Sequence, residues 1–236
     1  GIGIKAKPLE NFGHNLDEFL KQISEKTKLI FIANPNNPTG NLIEKSNILA
    51  FLSKVPKHIL VVLDEAYDEY LRDEDKSIAF NWLAEYKNLL ISRSFSKAHG
   101  LAGLRIGYGV GSKKVINLMN RVRQPFNVNS IAQAAAIASL EDDEFIKRSR
   151  LINDQGRLQL EEVFNELRIE YIPSYGNFIS FNLEDETKAM MYYQHLLKNG
   201  VIVRPIQNYE MPSWLRVSIG LKEENNTFIK YIKSFT

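Results

Sequence analysis

One stretch concentrates residues able to do chemistry: Ser94-Phe95-Ser96-Lys97-Ala98-His99-Gly100-Leu101-Ala102-Gly103-Leu104-Arg105. A lysine stands between small hydroxyl residues, and an arginine follows it eight positions on. An amine that attacks a carbonyl must be partly deprotonated, and nearby cations and partial burial lower its pKa. Hydroxyls and a guanidinium on the same loop suit an anion, since the guanidinium fork matches phosphate oxygens. The pattern therefore predicts an amine held beside an anionic group. A Schiff-base cofactor with a phosphate tail requires that arrangement. Gly100 and Gly103 are expected to let the backbone turn closely here. His99 is read as a loop residue rather than a catalytic base.

Other polar clusters carry further candidates. Asn34-Pro35-Asn36-Asn37-Pro38-Thr39-Gly40 is a dense turn signal. Asp64-Glu65-Ala66-Tyr67 closes an apolar run. A carboxylate there, beside a pocket, needs a partner to offset its desolvation; capping a helix is the alternative role for Asp64. Tyr67, three residues on, can share a face with Asp64 in a turn. Asn37 also fits plain turn chemistry. Arg204 and Arg216 stand on or beside short strand-like segments, and Arg204-Pro205 also fits a strand-ending turn.

The elements that must position these groups read clearly in the first half. Residues 28–33, 59–63 and 88–91 are continuous apolar runs of strand length, each ending in a polar cluster. Residues 15–25 and 44–55 have helical spacing, 77–86 suits a short helix, and 106–110 a fourth strand. Continuous hydrophobicity predicts strands buried on both faces, hence an α/β fold with a mostly parallel sheet flanked by helices. Ligands bind such sheets beyond the carboxyl ends of the strands, where the polar clusters fall. Residues 113–167 read as nearly all helix, broken at Gln124-Pro125-Phe126. Strand-like 169–172, 177–182, 201–204 and 214–219 then alternate with helical 186–198 and 223–235. A larger domain over 1–140 and a smaller α+β domain over 141–236 are expected.

Composition excludes several classes. The 236 residues carry a formal net charge of only +2, so no global basic field draws the chain to nucleic acid or an anionic membrane. Cysteine is absent, which removes disulfides and thiolate metal sites, and no metal is expected. No apolar stretch reaches transmembrane length and no secretory leader pattern opens the chain, so cytoplasm is the default.

Taken in order, Asn34 to Gly40, Asp64-Glu65-Ala66-Tyr67, Ser94-Phe95-Ser96-Lys97 with Gly103-Leu104-Arg105, and Arg216-Val217-Ser218-Ile219-Gly220 resemble a fold-type I, class II aminotransferase that uses pyridoxal phosphate. Within that class the motifs are most similar to the histidinol-phosphate aminotransferases. The resemblance covers essentially the whole chain. It implies that Lys97 forms the Schiff base with the cofactor and shuttles a proton. It pairs Asp64 with the protonated pyridine nitrogen, and sets Tyr67 and Asn37 against the phenolic oxygen. Ser94, Ser96 and Arg105 then hold the cofactor phosphate, and Arg204 and Arg216 the substrate. Two arginines suit a phosphate dianion better than one.

The resemblance further implies transamination between histidinol phosphate and 2-oxoglutarate, with glutamate on the other side, in histidine biosynthesis by a homodimer. An aromatic aminotransferase, a threonine-phosphate decarboxylase and a non-catalytic binding module of the same fold are the alternatives. Gly1 to Glu10 resembles the middle of the large domain, so an upstream part bearing a glycine-rich phosphate turn and a ring-stacking aromatic residue is expected to be lacking.

Overall fold

The computed structural model describes residue 3, residue 8 and residues 10–235. Most of the Gly1–Glu10 stretch discussed above lies outside the described residues. The chain forms two compact units. The first comprises residues 1–36 and 42–146, the second residues 37–41 and 147–236.

In the first unit, helix α1 (Leu16–Lys21) is capped by Asn15, whose side chain accepts from the Glu18 amide. Strand β1 (Leu29–Ala33), helix α2 (Lys45–Lys54), strand β2 (Leu60–Asp64), strand β3 (Leu89–Ser94) and strand β4 (Gly107–Gly111) follow. The sheet order is β1-β2-β3-β4; the first three strands run parallel and β4 is antiparallel to β3. Helices α3 (Lys113–Val122) and α4 (Ser130–Leu140) complete the unit. Ile32, Leu63, Leu89 and Ile91 are fully buried on one face of the sheet, in a core shared with Ile48, Phe51 and Leu52 of α2. The Phe19 ring of α1 meets Phe51 edge-on at 6.3 Å.

Three expectations change here. Strand β1 is buried on one face only: Ile30 and Ile32 enter the core, while Leu29 and Phe31 are 52% and 65% exposed on the other. Strand β3 runs past its apolar part to Ser94, because Ser92, Arg93 and Ser94 continue the ladder opposite Gly109, Tyr108 and Gly107. The short helix expected over 77–86 is narrower, a 3-10 helix over residues 79–84.

The second unit is built on helix α5 (Asp143–Glu166), which starts within the first. Strands β5 (Tyr171–Ile172) and β6 (Phe178–Asn182), helix α6 (Glu186–Lys198), strands β7 (Arg204–Pro205) and β8 (Trp214–Ser218) and helix α7 (Lys222–Lys233) follow. Its antiparallel sheet has the order β5-β6-β8-β7. Phe164 of α5 stacks on Phe181 at 4.9 Å, and both meet Phe228 of α7 edge-on. Strand β7 is shorter than expected. It is an edge strand, where Pro205 costs no ladder bond, and Ile206 N donates to Trp214 O at 3.3 Å just beyond it.

Candidate active site

The first unit brings the lysine loop and the Asp64–Tyr67 segment together. The loop is tied at both ends. Phe95 N donates to Ile106 O (3.2 Å), Leu101 N to Phe95 O and Gly100 N to Lys97 O (both 2.9 Å). Gly100 has φ +70°, a left-handed conformation that suits glycine. Gly103 has no such need; it lies in a 3-10 turn, and Arg105 takes the left-handed conformation instead, at φ 52°. Lys97 is exposed, and its Nζ lies 5.4 Å from the centroid of the buried Tyr67 ring.

Asp64 ends β2 and is exposed; its Oδ1 accepts from the Ala66 amide at 3.1 Å, which fixes the turn that follows. It pairs in register with Ser92, and residues alternate faces along a strand, so Asp64, Ser92 and Ser94 share one face of the sheet. Ser94 Oγ accepts from the Ser96 amide at 3.0 Å. Arg105 Nη1 donates to Ala102 O at 2.8 Å and reaches Ser96 Oγ at 3.5 Å. An amine, a phenol, a carboxylate and a hydroxyl–guanidinium group therefore occupy one end of the sheet.

The opposite face of that end holds residues that sequence reasoning passed over. Arg93 is nearly buried and binds Glu65 Oε2 through Nη2 (2.7 Å) and Nε (2.8 Å). Its Nη1 reaches Asp68 Oδ2 (2.8 Å) and Glu69 Oε1 (3.2 Å), and its guanidinium lies 4.9 Å from the Phe80 ring centroid. Ser77 donates a short hydrogen bond to Glu65 Oε1. Burial pushes the Glu65 and Asp68 carboxyls up, against the opposing charge of Arg93. Burial also pushes Glu69 upward, but nearby His99 (Nε2 3.9 Å from Oε1) and the Arg93 charge outweigh it and hold that carboxyl below its ordinary value. His99 lies in the loop but is buried there: it packs on Phe95 at 4.8 Å, and its Nδ1 hydrogen-bonds Ser139 Oγ of α4 at 2.7 Å. The one available signal was an arginine just after an apolar strand-like run, with acids at 65, 68 and 69 after the neighbouring run.

The second unit holds the remaining candidates. Arg204 and Arg216 are register partners on β7 and β8, so they share a face. Arg216 Nη1 donates a short hydrogen bond to Asn37 Oδ1, and its guanidinium lies 5.0 Å from the Phe178 ring centroid. Asn37, expected with the cofactor-binding set, thus falls in the same unit as Arg204 and Arg216. Its turn is anchored by Ser180 Oγ, which donates to Pro38 O at 2.5 Å, and by Tyr175 N, which donates to Gly40 O at 2.9 Å.

The fold and these two sets of residues define a class. The family model for class I and II aminotransferases matches residues 2–232, and the chain belongs to that family. At a finer level, the chain is 61% identical over 233 residues to the histidinol-phosphate aminotransferase of Methylobacillus flagellatus, covering 99% of this chain and 61% of that protein. The histidinol-phosphate aminotransferase of Sinorhizobium meliloti, solved in complex with pyridoxal-5'-phosphate, superposes with a TM-score of 0.91 at 26% identity, over 99% of this chain and 65% of that one. An L-threonine-O-3-phosphate decarboxylase from Porphyromonas gingivalis superposes with a TM-score of 0.79 at 25% identity, over 94% of this chain and 69% of that one. The chain spans about three fifths of the length of the curated relatives it matches. Among the described residues, no helix is long and apolar enough to cross a membrane.

Proposed function

We propose that the full-length protein transfers an amino group between histidinol phosphate and 2-oxoglutarate, yielding glutamate, with pyridoxal phosphate as cofactor, in histidine biosynthesis. The observation that carries the choice of substrate is the register pairing of Arg204 with Arg216. Like charges directly opposite each other destabilise a strand pair, and a bound dianion relieves that repulsion. A phosphate monoester supplies two charges and a planar match to each fork. The relative at 61% identity supports the same substrate.

The donor set of the first unit fits the cofactor in kind. Lys97 offers an amine, Tyr67 a phenol beside it, Asp64 an exposed carboxylate, and Ser94, Ser96 and Arg105 an anion-binding group. By resemblance Asn37 joins Tyr67 at the phenolic oxygen. When bound, pyridoxal phosphate supplies an aldehyde and a ring that withdraws electrons from the substrate carbon. The Lys97 Nζ holds the proton that is moved to and from that carbon. Asp64 keeps a cationic partner charged, and Arg105 with the two serines neutralises a phosphate. Arg216 and Arg204 hold the substrate by its phosphate. The reading includes a homodimer in the cytoplasm. The apolar side chains exposed on α3 and α4, among them Val122, Ile131 and Ile137, support a partner surface.

Adding pyridoxal phosphate to the full-length protein is expected to produce a visible absorption band that Lys97→Ala abolishes, and histidinol phosphate with 2-oxoglutarate to be turned over. A band that survives Lys97→Ala sinks the lysine assignment. Turnover of threonine phosphate with none of histidinol phosphate overturns the substrate.

A further inference from the structure

We propose that Arg93 is a positioning residue, which clamps the Asp64–Tyr70 segment to the strand leading into the lysine loop and so keeps the Tyr67 ring against Lys97. The inference rests on the reading of Lys97 and Tyr67 given above. Arg93 lies four positions before Lys97 on β3 and points to the face opposite Asp64 and Ser94. Its fork engages Glu65, Asp68 and Glu69, which flank Tyr67 on both sides. The segment also joins β3 through its backbone, with Glu65 N donating to Ser92 O at 2.9 Å. That single bond cannot set the rotation of the following turn; the four contacts that three carboxyl groups make with one planar guanidinium can.

Charge makes the clamp selective for arginine. Two buried carboxylates, Glu65 and Asp68, and the partly buried Glu69 face Arg93, His99 stands at Glu69, and Tyr108 lies in register with Arg93 on β4. Lys76 acts on Asp68 from the far end. A lysine at position 93 keeps one charge but loses the fork that spans the acids. Removing the guanidinium leaves the carboxylates facing each other, and they part by moving the turn that holds Tyr67.

The test uses the full-length protein with pyridoxal phosphate and reads the pH titration of the visible band in Arg93→Met, Arg93→Lys, Glu65→Gln, Tyr67→Phe and the Arg93→Met/Tyr67→Phe double variant. If Arg93 acts through Tyr67, Arg93→Met moves the midpoint in the same direction as Tyr67→Phe, by about half a pH unit or more, and the double variant moves no further than Tyr67→Phe. Arg93→Lys falls between. A wild-type midpoint in Arg93→Met, or a double variant that sums the two shifts, overturns the proposal. Should Arg93→Met fail to fold, Arg93→Lys and Glu65→Gln decide by the same criterion.

Backbone hydrogen exchange gives a second readout that needs no cofactor. The amides of Asp68, Tyr70 and Leu71 donate to Glu65, Tyr67 and Asp68 carbonyls within the clamped segment. They are expected to exchange on the order of tenfold faster in Arg93→Met, with β1 amides unchanged. Unchanged exchange in the segment refutes the clamp even where no band forms in the wild type, an outcome that by itself sinks only the cofactor reading.

Discussion

Replacing Gly40 by alanine tests how tightly the Asn37 turn is seated. Gly40 has φ +81°, where an L side chain costs roughly 1–2 kcal/mol. A Cβ built there overlaps Ser174 Oγ and falls 2.6 Å from its Cβ and 2.9 Å from its Cα. Carbon atoms rest at about 3.5–4.0 Å, so Ser174 must retreat by about 1 Å. It is not free to do so: the next residue, Tyr175, bonds Gly40 O at 2.9 Å, and Ser174 Oγ accepts from the Gly176 amide at 3.1 Å. Overpacking of this kind costs about 1–3 kcal/mol, so Gly40→Ala is expected to lose about 2–5 kcal/mol in all. Urea unfolding followed at Trp214, in a Trp82→Phe background, reports on the unit concerned. Ser174→Gly removes the two nearest clashing atoms, and the double variant should recover about 1–2 kcal/mol relative to the sum of the single changes. Strict additivity, within about 0.5 kcal/mol, refutes the steric account. An unshifted midpoint for Gly40→Ala refutes the conformational account as well.

Phe164→Ala should cost about 3–5 kcal/mol, read by the same Trp214 transition, because the ring is fully buried and packs on three aromatic rings. His14 supplies a pH test. Burial holds its imidazole below the ordinary 6.5, even though its Nε2 bonds Ala33 O at 3.0 Å. The unfolded chain therefore takes up a proton at a pH where the folded chain does not. The stability carried by the neutral ring is full above about pH 6.5 and is lost as pH falls toward the folded value. The urea midpoint of the wild type should drop on acidification through that range, and His14→Gln should flatten the drop; an unchanged slope in the variant counts against it.

The first sheet was legible because three apolar runs each end in a polar cluster, and those runs are β1, β2 and β3. The lysine loop was legible for the same reason: its residue types sit together in the chain. What escaped was set by distance in sequence. Arg93 meets Glu65 across 28 positions, and Arg216 meets Asn37 across 179, so neither pair leaves a local pattern. Glu65, Asp68 and Glu69 resemble a solvated acidic turn unless the arginine beneath them is known. The end of β3 was placed early because hydrophobicity marks burial, whereas Ser92, Arg93 and Ser94 stay in the strand through backbone pairing with β4. The half-exposed face of β1 escaped too, since an apolar run reads the same whether one side or both are covered.

The antiparallel sense of β4 carries a consequence for motion. In a parallel sheet, the loop leaving a strand is released into a helix and can shift without disturbing its neighbours. Here the chain leaves β3 at Ser94 and returns at Gly107 to pair with it, so the loop bearing Lys97 is the closed end of a hairpin. Loop and sheet edge then move as one unit. A displacement of the loop's base must first unzip the rungs that join Ser94 to Gly107 and Arg93 to Tyr108. The backbone that leads into Lys97 is thus restrained on the timescale of local unfolding.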